Sequence, residues 1–170
     1  GDDIVDSEVP CIGQMMRLYE RRGNPVIALQ EVPREETKHY GIVAGKPSKA
    51  EERVVEITDM IEKPSPDQAP SNLAIIGRYI LPPEIFQLLE ATAADAGGEI
   101  QLTSALKSLL DRGPVDGYRF EGKRYDAGDK LGFLKATVEF ALKREDLGVP
   151  FREYLRGLDL DGPGPVKRKT

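Results

Sequence analysis

The chain has 170 residues, of which 39% are hydrophobic and 31% are charged, and its formal net charge is −5. A chain of this length can bury one sizeable core, so we expect one domain over residues 1–158 and a flexible tail over 159–170. The acidic balance disfavours a nucleic-acid binder with a basic face. A single cysteine excludes an internal disulfide, and no apolar run approaches the roughly 20 residues of a membrane span, so the composition predicts a cytoplasmic protein without a membrane contact.

Apolar periodicity and turn residues predict alternating helices and strands along the chain. After a strand end at residues 1–5, a helix is predicted from an N-cap at Ser7 to a terminator at Gly23. The later predicted strands cover residues 25–29, 40–44, 54–57, 73–81 and 115–121. The later predicted helices cover residues 82–89, 100–110, 130–143 with Asp129 as cap, and 150–155. This mixture predicts an α/β fold with a mixed sheet flanked by helices.

The opening residues have the character of a strand that is cut within a larger protein, and they include no initiator methionine. We therefore interpret the sequence as a fragment. Under this interpretation, the strands ending at Val5, Leu29 and Leu81 should leave an open edge where further strands belong. An open edge favours pairing with another chain, which predicts an oligomer.

Two aspartates are candidate metal ligands. Asp2 lies at the end of an apparent strand, where open α/β sheets place ligand-binding loops, and a carboxylate there can hold Mg²⁺ against a polyphosphate. Asp126 precedes a glycine turn and a predicted helix start. If both bind one ion, their carboxylates should lie about 4 to 7 Å apart. The competing interpretations are an ordinary strand-end turn at Asp2 and local helix capping by Asp129.

Glu62 and Lys63 stand directly before Pro64, which enforces a bend and makes the two side chains diverge. The carboxylate can accept hydrogen bonds from sugar hydroxyls, and the ammonium can pair with a phosphate. This pattern suits a sugar phosphate, although an exposed Glu-Lys pair is also among the commonest surface features.

Gly41 and Gly77 interrupt predicted strands, which is typical of a bulge or of a close approach between a ligand and the backbone. Both interpretations stay open for these glycines. His39 is the single histidine, and no serine or cysteine motif accompanies it, so the sequence supports neither a catalytic triad nor a zinc site.

Six motifs occur in one order along the chain. They are Gly-Asp-Asp at 1–3, Tyr-Gly-Ile-Val at 40–43, Ile-Glu-Lys-Pro at 61–64, Ser-Asn-Leu-Ala-Ile-Ile-Gly-Arg-Tyr at 71–79, Gly-Gly-Glu-Ile-Gln-Leu-Thr at 97–103 and Arg-Tyr-Asp-Ala-Gly-Asp-Lys-Leu-Gly at 124–132. The series resembles the bacterial UTP:glucose-1-phosphate uridylyltransferases, also called UDP-glucose pyrophosphorylases, over residues 1–158. The resemblance implies the carboxyl-terminal portion of a Rossmann-like nucleotidyltransferase domain, because the family's glycine-rich nucleotide loop has no counterpart here.

The resemblance also implies roles for individual residues. Asp2 and Asp126 would bind Mg²⁺, with Asp2 and Lys63 in catalytic roles. The substrate-binding residues would be Gly41, Glu62, Lys63, Asn72, Gly77 and Tyr79, with Glu62 on glucose hydroxyls and Lys63 on the sugar phosphate. The implied reaction joins UTP and glucose-1-phosphate into UDP-glucose and pyrophosphate, in a homo-oligomeric enzyme.

Two other functions stay open at this point. A thymidylyltransferase acting on glucose-1-phosphate would share the sugar side of the site. A non-catalytic scaffolding module would share the fold, but the joint presence of Asp2, Glu62, Lys63 and Asp126 argues against it.

Overall fold

The computed structural model describes residues 2–162. The described chain divides into two compact units, one formed by Asp3–Arg124 and one by Asp2 together with residues 125–162. Residues 163–170 of the predicted tail lie outside the described part of the chain. The predicted domain boundary at residue 158 follows closely on the last helix, which ends at Arg156.

Five strands of the first unit form a closed barrel in the order β2-β5-β3-β4-β6. They are β2 (Val26–Glu31), β3 (Gly41–Pro47), β4 (Val54–Glu62), β5 (Leu73–Ile80) and β6 (Asp116–Arg119). β6 runs parallel to β2, and the other neighbouring strands are antiparallel. Outside the barrel, β1 (Asp3–Asp6) belongs to a two-stranded sheet with β7 (Lys123–Asp126), whose first two residues are part of this unit. The predicted α/β fold with a mixed sheet is confirmed.

The predicted open edge along β2 is wrong. One side of β2 pairs with β5, and the other pairs with β6 from Val26 opposite Asp116 to Leu29 opposite Arg119. Both sides of β2 therefore have partners for their backbone N–H and C=O groups. β5 also has a neighbour on each side, β2 and β3, but among the described residues its register with β3 joins only Ile42 and Ala74.

Side chains of β2 alternate between two buried clusters, as the period of a strand requires. Ile27 and Leu29 pack with Leu106 and Leu109 of helix α3 (Leu102–Leu109). Val26 and Ala28 pack on the opposite face, against helix α1 (Cys11–Arg22). Because side chains on both faces of β2 are buried, this strand is held in place. The barrel in turn positions the loops that follow its strands. Helix α2 (Ile85–Ala91) lies between β5 and α3 in the chain.

The start of α1 differs from the prediction. Its N-cap is Pro10, without a side-chain hydrogen bond, while the Ser7 hydroxyl donates to the Val9 carbonyl instead. The predicted terminator Gly23 is confirmed, because it adopts the left-handed conformation at φ 71° and donates its N–H to the Tyr19 carbonyl. Two elements were absent from the sequence prediction, namely β7 and a 3₁₀ helix at Arg34–His39.

The second unit contains helices α4 (Lys130–Lys143) and α5 (Gly148–Arg156). The predicted cap of α4 is confirmed, since the Asp129 carboxylate accepts the Gly132 N–H at 2.8 Å. Tyr125 is buried, and its hydroxyl donates to Glu139 of α4 at 2.7 Å. These contacts tie α4 to the segment that carries Asp126.

Candidate active site

A pocket of about 220 Å³ opens in the first unit beside the carboxyl end of β4. Its walls come from the end of the 3₁₀ helix and the start of β3, the end of β4, the middle of β5, and the start of α3. The lining residues are His39, Tyr40, Gly41, Glu62, Ile75, Tyr79, Gln101, Leu102 and Thr103. Three of the sequence-predicted substrate residues, Gly41, Glu62 and Tyr79, therefore lie together.

Glu62 is the acidic group of this pocket. It is the last residue of β4 and stands opposite Gly41 of β3 in the antiparallel register. Its Oε2 atom accepts a hydrogen bond from the Thr103 hydroxyl, and its Oε1 atom lies 3.9 Å from Lys63 Nζ. The side chain is 26% exposed, so the carboxylate is partly shielded yet still reaches the pocket.

Gly41 leaves the space that the Glu62 carboxylate occupies. A Cβ atom at position 41 would lie 2.9 Å from Thr103 Oγ1 and 3.1 Å from Glu62 Oε2. It would also lie 3.1 Å from Ile75 Cδ1, so a larger residue would meet a crowded wall on three sides. The close approach, rather than an unusual backbone angle, explains the glycine at this position.

Lys63 follows Glu62 and turns away from the strand. Its φ is 44°, the one positive value at a residue other than glycine in the described part of the chain. The backbone is held by the Lys63 N–H, which donates to the Tyr40 carbonyl at 3.0 Å, and Pro64 behind it is buried. The Lys63 side chain is 56% exposed, so its ammonium is accessible to an anionic ligand. The predicted divergence of the two side chains is wrong, because their charged atoms lie 3.9 Å apart and form an ion pair.

Tyr79 contributes a partly buried phenol to the pocket wall. Burial, with a smaller contribution from the negative charge of Glu62, raises the pKa of Tyr79 to about 12. The phenol is therefore neutral at physiological pH and can both donate and accept hydrogen bonds.

A loop before α3 places Gln101 in the wall of the pocket. Asp95 organises this loop, because its carboxylate accepts the N–H groups of Gly97 and Glu99. The Gln101 side-chain amide also donates to Asp95, at 2.8 Å. The bond from Gln101 is the largest cause that lowers the pKa of Asp95, and the positive charge of Lys63 contributes as well. Lys63 is thus within electrostatic reach of this loop.

The structure places two predicted substrate residues elsewhere. Asn72 lines a different depression with Gly45, Leu73 and Arg119, at the end of the barrel where β5 begins. Gly77 is exposed, with φ 71°, inside the irregular stretch where the register of β2 and β5 shifts. The bulge explains why a glycine is present at position 77. Neither Asn72 nor Gly77 is in the wall of the Glu62 pocket.

The second unit brings the two candidate metal ligands together. Carboxylate oxygens of Asp2 and Asp126 lie within 4.8 Å of each other, as predicted for ligands of one ion. Asp126 Oδ1 accepts the Gly128 N–H at 3.0 Å and the Asp129 N–H at 3.2 Å, which fixes the carboxylate. A Cβ at position 128 would lie 2.2 Å from Asp2 Oδ2, so Gly128 keeps open the space where this carboxylate lies. Two carboxylates this close could hold one metal ion, and oxygen atoms are the ligands that Mg²⁺ takes.

Thr103 is one of the pocket residues that the sequence prediction missed as site residues, and it is the one that contacts Glu62. It belongs to the Gly-Gly-Glu-Ile-Gln-Leu-Thr motif at 97–103, so the motif itself was the available signal. His39, interpreted from sequence as a loop residue, ends the 3₁₀ helix and lines the same pocket.

The sequence profile of the nucleotidyl transferase family matches residues 1–142. The chain belongs to this family. Within it, the resemblance to one branch is confirmed by relatives that carry the name UTP–glucose-1-phosphate uridylyltransferase.

The relative from Staphylococcus epidermidis is 47% identical over 160 residues, covering 94% of this chain and 55% of the relative. The relative from Staphylococcus haemolyticus is 53% identical over 143 residues, covering 84% of this chain and 49% of the relative. The relative from Bacillus subtilis is 49% identical over 158 residues, covering 91% of this chain and 53% of the relative. The chain thus spans about half the length of the curated relatives it matches.

Solved structures of UDP-glucose pyrophosphorylases are also similar to this chain. A UDP-glucose pyrophosphorylase complexed with UDP-glucose is 42% identical with a TM-score of 0.78, covering 84% of this chain and 54% of that one. A UTP-bound UGPase from Acinetobacter baumannii is 36% identical with a TM-score of 0.80, covering 92% of this chain and 54% of that one. A glucose-1-phosphate thymidylyltransferase from Bacillus anthracis shares the fold at 21% identity and a TM-score of 0.61, covering 79% and 50%.

No helix among the described residues combines the length and the apolar character that crossing a bilayer requires.

Proposed function

We propose that this chain supplies the sugar-phosphate side of an enzyme that transfers a uridylyl group from UTP to glucose-1-phosphate, giving UDP-glucose and pyrophosphate. The observation that carries the proposal is the pocket in which Gly41, Glu62 and Thr103 are packed together beside the exposed ammonium of Lys63. The similarity to uridylyltransferases at 47% to 53% identity supports it.

The pocket and the adjacent Lys63, which is outside its lining, together offer a complementary group for each end of a hexose phosphate. Glu62 and the neutral phenol of Tyr79 can hydrogen-bond with sugar hydroxyls, and Lys63 can pair with the phosphate. Attack of a phosphate oxygen on the α-phosphorus of UTP needs no nucleophile from the protein. The contribution of these residues is to hold the sugar phosphate in place and to reduce the negative charge on its oxygens.

We also propose a metal site at Asp2 and Asp126. Bound Mg²⁺ would neutralise phosphate charge during the transfer. The protein's own part is to present two carboxylates, of which Asp126 is fixed by the backbone N–H groups of Gly128 and Asp129.

A cytoplasmic location and a homo-oligomeric state complete the proposal. The single buried Cys11, which has no second cysteine to pair with, is compatible with a reducing compartment. Several large apolar side chains of the second unit are exposed, including Leu131, Phe133 and Leu134 of α4, which is compatible with an interface between subunits.

The activity test is a pyrophosphate-release assay with UTP and glucose-1-phosphate in the complete enzyme that contains this chain. Lys63→Ala should lower kcat/KM by roughly 10² to 10³, because the ammonium stabilises charge that is shared in the transition state. Glu62→Ala should chiefly raise the KM for glucose-1-phosphate, since its contacts are to hydroxyls far from the reacting phosphorus. Lys46→Ala, which removes an exposed ammonium of β3, is the matched control. Full activity of Lys63→Ala would show that the Glu-Lys pair is an ordinary surface pair.

The metal proposal is tested by the Mg²⁺ concentration that gives half-maximal pyrophosphate release. Asp126→Asn keeps an oxygen for the N–H groups of Gly128 and Asp129 but removes the charge, so it should raise this concentration about tenfold or more. Asp159→Asn is the control, because Asp159 also accepts a turn N–H, from Asp161, in the same unit. An unchanged Mg²⁺ requirement in Asp126→Asn would remove this residue from the metal site.

A further inference from the structure

Thr103 touches Glu62 from the first turn of α3. The residue is 8% exposed, and its hydroxyl donates to Oε2 of the Glu62 carboxylate. Glu62 Oε1 is the oxygen nearer to Lys63. The two carboxylate oxygens therefore have different partners, one a fixed neutral donor and the other a cation.

The position of Thr103 is set by the core. Ala105, Leu106 and Leu109 on the same helix are buried against strand side chains that include Val55, Ile57 and Met60. Because α3 packs directly on β4, the backbone that carries the Thr103 hydroxyl is held beside Glu62. A carboxylate held by such a donor has a defined plane, and a defined plane fixes the directions in which it accepts hydrogen bonds.

Gly41 of β3 borders the same contact. The Thr103 hydroxyl lies where a side chain at position 41 would otherwise reach, at 2.9 Å from the ideal Cβ position of Gly41, and Glu62 Oε2 lies 3.1 Å from that position. The hydrogen bond between Thr103 and Glu62 therefore depends on the absence of a side chain at position 41.

We propose that Thr103 is a positioning residue that orients the Glu62 carboxylate, and that this orientation determines which hexose 1-phosphates the pocket accepts. The inference rests on the proposed function and extends it to sugar selection. A hydroxyl on the wrong face of the sugar ring would point toward the lone pair of Glu62 Oε2 that already accepts from Thr103, and the pocket would leave that hydroxyl without a partner.

The experiment compares Thr103→Val and Thr103→Ser in the complete enzyme. Valine has nearly the shape of threonine but lacks the hydroxyl, and serine retains it. For each variant, KM and kcat are measured with glucose-1-phosphate and with its C4 and C2 epimers, galactose-1-phosphate and mannose-1-phosphate. Thr92→Val is the matched control, because the Thr92 hydroxyl donates to the Leu88 carbonyl at 2.7 Å and is not in the pocket wall.

We expect Thr103→Val to raise the KM for glucose-1-phosphate about tenfold, the effect of one hydrogen bond to a charged group, with kcat changed less than about threefold. Its preference for glucose-1-phosphate over the epimers should fall, whereas Thr103→Ser should recover both properties. Thermal unfolding is measured for every variant, and Thr103→Ala replaces Thr103→Val if the latter does not fold.

The outcomes separate this inference from the function on which it rests. If Glu62→Ala raises KM but the hydroxyl-free variants at position 103 bind and select sugars like the unmodified enzyme, Thr103 has no positioning role and the proposed function stands. Thr103 likewise has no positioning role if Thr103→Ser fails to recover the preference for glucose-1-phosphate over its epimers. If Glu62→Ala and Lys63→Ala both leave turnover of glucose-1-phosphate unchanged, the proposed function itself fails.

Discussion

Lys63 combines an exposed ammonium with a backbone conformation that residues bearing a side chain avoid. At φ 44° its Cβ approaches the following carbonyl, which costs about 1 to 2 kcal/mol relative to a right-handed conformation. The Tyr40 carbonyl and the buried Pro64 hold the backbone there. Unfavourable backbone geometry at a candidate binding residue is typical of sites in which position matters more than stability.

Replacing Lys63 with glycine should separate these two properties. Glycine adopts positive φ readily, so Lys63→Gly should raise the free energy of unfolding, by about 1 kcal/mol at most because glycine also adds freedom to the unfolded chain. The same variant should lose activity as Lys63→Ala does. Chemical denaturation together with the pyrophosphate assay checks both results. A fall in stability on changing Lys63 to glycine would show that the lysine side chain contributes more to the fold than its backbone costs.

At the scale of elements, helix caps show where local chemistry suffices. Asp129 accepts the Gly132 N–H, and its own N–H donates to Asp126, so one residue begins α4 and also supports the candidate metal ligand. Asp129→Ala should lower the free energy of unfolding by about 1 kcal/mol, whereas Asp129→Asn, which retains a capping oxygen, should change it by only a few tenths. Urea unfolding of both variants measures the difference. Equal losses in the two would contradict the capping role.

Helix α1 shows where a local pattern is ambiguous. Its apolar residues form two stripes, and the structure buries Cys11, Met15 and Leu18 while Ile12 and Met16 stay exposed. Members of both stripes have helical spacing in the sequence, so the periodicity alone does not identify the buried one. Contact with β2 in the folded unit decides between the two faces, and no periodicity within the helix contains that information.

At the scale of the whole molecule, burial of tyrosine links stability to alkaline pH. The pKa of Tyr79 is raised from 10.0 to about 12 in the folded protein, with burial as the main cause. Below pH 10 the phenol is protonated in both the folded and unfolded states, so its contribution to stability is complete. Between pH 10 and 12 the unfolded chain releases the proton first, which favours unfolding.

The unmodified protein should therefore lose more stability than Tyr79→Phe between about pH 9 and about pH 11.5. Denaturation midpoints of both proteins at the two pH values test this expectation, and the comparison cancels the titration of groups that both share. Parallel losses would mean that Tyr79 titrates normally in the folded state.

The sequence by itself determined what depends on nearby residues and on motif order. The α/β class, the Gly23 and Asp129 helix ends, the Glu62-Lys63 pair and the family followed from local propensity and from six motifs. The proximity of Asp2 and Asp126, 124 positions apart, was predicted on the condition that both bind one ion, and the structure confirms the proximity.

Only the tertiary structure decided what depends on distant contacts. Barrel closure requires β6 to pair with β2 across 90 positions, from Asp116 to Val26, and no local pattern specifies that partner. Folding likewise brings Thr103 to Glu62, and it separates Asn72 and Gly77 from the pocket although both lie in the same motif as Tyr79. Asn72 precedes β5 and lies at the opposite end of this strand from Tyr79, and the bulge around Gly77 interrupts the regular alternation of the strand, so sharing a motif does not place residues at one site.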